Sequence, residues 1–201
     1  MIKSGIDQDA LIDMFAEASA KQGDKLRKAV ADATLKALQG RELTLENVRK
    51  VIKTVTQAAS AGAEKNPAIA VDVEAMLRKA FDGMDAALLK AVEANRKALQ
   101  QLLDQGAGLR ETQVKAALDG VEKMEDLFFS AVGKAVQGVG APLQGPWQQV
   151  LKSMKLEGTA TGAGAAQTVE QLMSQTQDAL RKGRATSLRA SQTLLDSYAA
   201  M

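Results

Sequence analysis

The sequence predicts an all-α protein, an elongated antiparallel bundle of long amphipathic helices. Apolar residues recur at three- and four-residue steps along most of the 201 positions, the spacing that lines one face of a helix. No segment alternates β-branched and polar residues as a half-buried strand would. Alanine, the best helix former, supplies much of the 46% hydrophobic content, and only six side chains are aromatic: four Phe, one Tyr and one Trp. Such a composition suits narrow helix-helix interfaces better than a broad core of bulky groups.

The elements follow in order. Asp7 or Asp9 caps a first helix carrying Ala10, Leu11, Met14, Phe15 and Ala18 on one face. Gly23 interrupts it, and Asp24 opens a second helix with Leu26, Val30, Ala33, Ala37 and Leu38 that stops at Gly40. A third starts near Thr44 and carries Leu45, Val48, Ile52, Val55 and Ala59 to Gly62. Asn66-Pro67 is a strong start signal, Asn as cap and Pro at the first helical position. The stripe from Ile69 through Leu77, Phe81, Leu88 and Val92 to Leu103 then predicts a helix up to Gln105 of about 60 Å at 1.5 Å per residue.

A further helix from about Leu109 to Val136 loses its charges as it proceeds, and Lys134 is the only charged residue between Leu127 and Gln149. Gly138, Gly140, Pro142, Gly145 and Pro146 predict an irregular passage before a short helix from Trp147 to Leu156. Gly158 to Gly164 consists of small residues and reads as a flexible linker. The last helix, about Ala166 to Ala200, carries Val169, Leu172, Leu180, Leu188, Leu194 and Tyr198. The domain reading is therefore a bundle over 1–157, a linker over 158–166, and a C-terminal amphipathic helix over 167–201 that packs on the same bundle.

Composition also bounds the chemistry. The chain has no histidine and no cysteine, so the usual acid-base group near neutral pH, the usual soft ligand and the strongest nucleophile are missing. A non-enzymatic protein with no cofactor and no metal is expected. The 26 basic and 24 acidic residues give a net charge of +2, too balanced for a dedicated nucleic-acid binder. The amino terminus lacks the apolar core of a signal peptide, and no stretch of about 18 apolar residues predicts a transmembrane span. A cytoplasmic location, free or peripheral to a granule or membrane, is the expectation.

Four features stand out as candidate sites. Glu122 and Asp126 share a helix face beside Glu125; without histidine a di-iron site of the usual form is excluded, and a solvated acidic face is the reading. The glycines before residue 166 lack the Gly-Lys-Ser or Gly-Lys-Thr of a phosphate loop. Arg181, Lys182, Arg184 and Arg189 make the last helix basic, either an anionic-surface contact or an ordinary solvated face. The charge-poor stretch holding Phe128, Phe129, Val132, Val136 and Trp147 either inserts into a hydrophobic surface with Trp at the boundary or packs closely inside a bundle.

The richness in alanine and glutamine, the missing cysteine and amphipathic segments such as Val71-Asp72-Val73-Glu74-Ala75-Met76-Leu77 and Gln167-Thr168-Val169-Glu170-Gln171-Leu172-Met173 resemble the phasins, helical proteins that coat bacterial polyhydroxyalkanoate granules. Arg41 to Val51 and Ala80 to Leu88 also resemble a bacterial helical family of unknown function. The first resemblance implies a hydrophobic granule or lipid surface as partner. The alternative is a soluble scaffold that self-associates into a homo-oligomer through coiled-coil contacts, with the Asn66–Gln105 helix as its seam.

Overall fold

The computed structural model describes residues 6–17, 23–39, 44–66, 73–104, 118–174 and 178. Every described element is helical: α1 (Gln8–Glu17), α2 (Gly23–Gln39), α3 (Leu45–Lys65), α4 (Val73–Asp104), α5 (118–122), α6 (Met124–Val136), α7 (Ala141–Glu157) and α8 (160–174).

Helix starts follow local chemistry. Asp7 Oδ1 accepts the Ala10 amide at 3.1 Å, and Thr44 Oγ1 accepts the Asn47 amide at 3.2 Å, each satisfying one of the first-turn donors that have no partner within a helix. Gly62 does not end α3, which continues to Lys65. Its lack of a side chain serves packing instead, because a Cβ there would lie 2.4 Å from the Ile12 carbonyl oxygen and from Phe15 Cβ. Asn66 closes α3 with its backbone N–H on Ala63 O; its expected role in opening the next helix falls on residues 67–72, which lie outside the described residues. Its side-chain amide donates to Phe15 O at 3.0 Å, so one asparagine ends two helices.

The passage over residues 141–146, expected to be irregular, is the first part of α7. Pro142 sits in the first turn, where no intrahelical N–H is needed, and only Pro146 lies inside the helix. Residues 160–166, expected as part of a linker, are helical as well; α8 begins immediately after Gly158 and Thr159.

The helices interleave. Residues 12–15 of α1 face residues 62–66 of α3, so these two run parallel. So do α2 and α4: Asp24 meets Lys79 at 3.2 Å, the Arg27 carbonyl lies against Gly83, and Leu38 shares a cleft with Ala94. Sequence neighbours α3 and α4 run antiparallel, with Thr56 near Met84 and Asn66 near Met76. Along the opposite side of α4, α7 and α8 follow in a single register, with Arg78 to Ser153, Asp85 to Ala160 and Arg96 to Gln171 each 75 residues apart. The core lies between these layers and is centred on Phe15, Phe81, Phe128 and Trp147, all fully buried.

Candidate functional site

The charge-poor stretch proposed for surface insertion lies mostly in the core. Phe128, Val132, Val136 and Trp147 are buried and Phe129 is half-buried. Of the two readings, close packing is the arrangement found in this folded form. Two physical causes hold these residues in. The α6 face from Met124 through Leu127, Phe128, Ala131, Val132 and Ala135 to Val136 is continuously apolar and buried, packed on α3. Trp147 has its one polar group satisfied inside, since Nε1 donates to Ser60 Oγ at 2.9 Å.

The Ser60 hydroxyl donates in turn to Thr56 O at 2.8 Å, and the Thr56 hydroxyl to Ile52 O at 2.8 Å. Two buried hydroxyls are therefore satisfied within α3 itself. Beside them Phe81, Phe128 and Phe129 form an aromatic trio, with Phe81 ring centroids 4.5 Å and 5.6 Å from the other two. Lys155 Nζ lies 5.6 Å from the Phe129 centroid, within cation-π range.

A polar junction forms where α4, α6 and α8 meet. Asp85, almost fully buried, accepts the Ala160 amide at 2.8 Å and the Thr161 amide at 2.9 Å on its two oxygens. The Thr161 hydroxyl donates back to Asp85 O at 3.0 Å. Thr159 accepts the Gly162 amide at 2.9 Å and donates to Glu125 Oε1 at 2.5 Å. A helix N-terminus attracts negative charge through its free N–H groups and its dipole; here α4 and α6 supply that charge in place of a ligand. Glu64 on α3 does the same for α7, accepting the Gly140 amide at 3.0 Å.

Along the α4–α7 seam, Arg78 pairs with Glu157 and reaches Ser153. The Arg78 guanidinium, with the Ser153 hydroxyl, holds the Glu157 carboxyl below the usual carboxylate range. Asp82 moves the other way: burial raises its pKa against the pull of Arg78, Lys79 and Arg27. Two hydroxyls bond carboxylates, Ser153 to Glu157 Oε1 at 2.9 Å and Thr159 to Glu125 Oε1 at 2.5 Å, and among the described residues no group of three or more acidic residues is placed to hold a metal. Glu122 and Asp126 are exposed while Glu125 is occupied by Thr159. Among the described residues, one open cleft of about 480 Å³ lies between α2 and α4 beside Leu38 and Ala91, and another of about 460 Å³ lies between Glu125, Phe129 and Lys155. Arg181, Lys182, Arg184 and Arg189 lie outside the described residues.

A family model described as "Family of unknown function (DUF6781)" matches residues 1–201. The chain belongs to this family. No curated protein and no solved structure matches it. The full-length match fits the resemblance to a helical family of unknown function and brings no activity or site residues with it.

Within this DUF6781 chain, sequence reasoning missed the two carboxylates that cap helices from a distance. Asp85 had a signal: it is a charge set in the apolar stripe between Phe81, Met84 and Leu88, where an unpaired carboxylate would be costly. Glu64 had none, because an acidic residue near a helix end is ordinary surface chemistry until the partner helix is placed.

Proposed function

We propose that this protein is a non-enzymatic surface coat, phasin-like in action, whose amphipathic helices exchange contacts with one another for contacts with a hydrophobic granule or lipid surface. One observation carries the reading: the polar groups buried in α3 bond within their own helix, Thr56 to Ile52 O and Ser60 to Thr56 O. Separating α3 from its neighbours would strand neither hydroxyl, so the cost of opening is the loss of apolar contact, which a hydrophobic surface returns, together with the Trp147–Ser60 and Glu64–Gly140 hydrogen bonds. The interfaces combine small groups such as Ala59, Ala63, Ala80, Ala87, Ala131 and Ala135 with fully buried Phe15, Phe81, Phe128 and Trp147. Among the described residues no helix is long and apolar enough to cross a membrane, so the proposed association is peripheral.

The test is co-sedimentation with polyhydroxyalkanoate granules and flotation with liposomes, read together with the emission of Trp147. The proposal expects the protein in the particle fraction and an altered Trp147 environment on binding. Protein left entirely in the soluble fraction by both particles sinks it.

Exposed Leu156 and Met173, 82% and 52% accessible, favour a second reading, a scaffold that self-associates through the outer face of α7 and α8. The α4 stripe is not available as its seam, because Met76, Leu77, Phe81, Met84, Leu88 and Val92 are buried within the chain. Light scattering over a wide concentration range tests this reading, and a constant monomer mass removes it.

A further inference from the structure

We propose that α8 is a strap, latched on α4 by Asp85 and able to swing out about Gly158 while the rest of the bundle stays packed. Its docked face is thin. Among its described residues the buried side chains are Thr161, Ala165, Thr168 and Leu172, and of these only Leu172 is large, so residues 160–174 contribute little apolar area to hold the helix down. The preceding helix contrasts with it, since α7 is anchored by buried Leu143, Trp147, Val150 and Met154.

Polar contacts provide the attachment instead. Both Asp85 oxygens accept α8 amides, Thr161 bonds back to the Asp85 carbonyl, and Thr159 bonds Glu125. These contacts require close approach: a Cβ at position 162 would lie 2.3 Å from the Glu125 carboxylate, and one at 164 would lie 2.3 Å from Leu89 Cδ1. When α8 leaves, water reaches Asp85, Glu125 and the first-turn amides together, so opening strands no polar group in a dry interior. The hinge is in place because Gly158, exposed between α7 and α8, has φ +79° and ψ 168°, a region open essentially to glycine alone. Opening would uncover Leu89 and the edge of the core now covered by Ala165 and Val169. This device does not depend on the surface-coat reading; it would operate in either proposed role.

Hydrogen exchange of the native full-length protein in plain buffer, with no particle or lipid present, tests the strap separately from surface binding. Local opening is expected to make the amides of residues 163–172 exchange at least tenfold faster than those of residues 51–63 in α3. Asp85→Asn should accelerate the first group a further tenfold or more and leave the second unchanged. Exchange of both groups at one rate in the unaltered protein would overturn the proposal without relying on any variant to fold. Equal acceleration of both groups by Asp85→Asn would overturn it as well. The absence of cysteine offers a second readout: the thiol of Ala165→Cys should label at least tenfold faster than that of Ala59→Cys, and equal labelling rates would count against the strap.

Discussion

The indole of Trp147 on α7 donates to Ser60 Oγ on α3 at 2.9 Å, joining two helices 87 positions apart in the chain through the only polar atom the indole has. Trp147→Phe removes that bond and part of a fully buried ring while leaving Ser60 bonded to Thr56 O. A loss of about 1–3 kcal/mol is expected from the lost hydrogen bond and the void, measured by urea denaturation. An unchanged midpoint would mean that the bond and the packing around it contribute nothing net.

Gly62 and Gly133 should respond oppositely to alanine. At 62 the added methyl meets the backbone of α1 at 2.4 Å, which cannot move without shifting the whole helix, so Gly62→Ala should cost about 1–3 kcal/mol by overpacking. At 133, inside α6, nothing lies within 4 Å of the new Cβ, and Gly133→Ala should gain about 0.5–1 kcal/mol from helix propensity. Thermal melts of the two variants beside the parent check both signs at once.

Thr34 is fully buried in α2, and its hydroxyl has no hydrogen-bond partner. Thr34→Val keeps the shape and removes the desolvated oxygen, so a gain of about 1 kcal/mol is expected. A destabilised valine variant, seen in chemical denaturation, would mean that the hydroxyl is satisfied in solution.

The raised pKa of Asp82 has a definite sign in the pH profile. Burial makes the folded state hold its proton more tightly than the unfolded chain does. Its contribution to stability therefore falls as pH rises from the ordinary carboxylate range through the raised value, and stays flat above it. Asp82→Asn should melt higher than the parent at neutral pH, and the difference should shrink as the pH falls below the ordinary carboxylate range. A variant that melts lower at neutral pH would show that attraction to Arg78, Lys79 and Arg27 outweighs the burial.

The helical character of the chain was legible because periodicity is a local property, and so was the Thr44 cap, whose partner lies three residues away. The charge-poor run ending at Trp147 was ambiguous for a physical reason: the same apolar face fits a partner helix or an apolar surface, and only the position of Ser60 distinguishes them. The small residues from Gly158 to Gly164 looked like a linker because glycine serves both loose backbone and close helix contact. Leu89 and Glu125 decide between those roles, and both are remote in sequence. Asp85 was the one element of the polar junction that its own neighbours could have revealed.

The interleaving of α1 with α3 and of α2 with α4 leaves the amino-terminal half without a seam along which it can be divided. A break in the chain between α2 and α3 parts both couples at once, so neither fragment keeps a matched pair from this half. During synthesis α1 emerges well before α3, the helix it lies along, and α2 before α4. Assembly of this half is therefore completed only once α4 is available, and a chain arrested after α3 can pair α1 with α3 but leaves α2 without the helix it lies along.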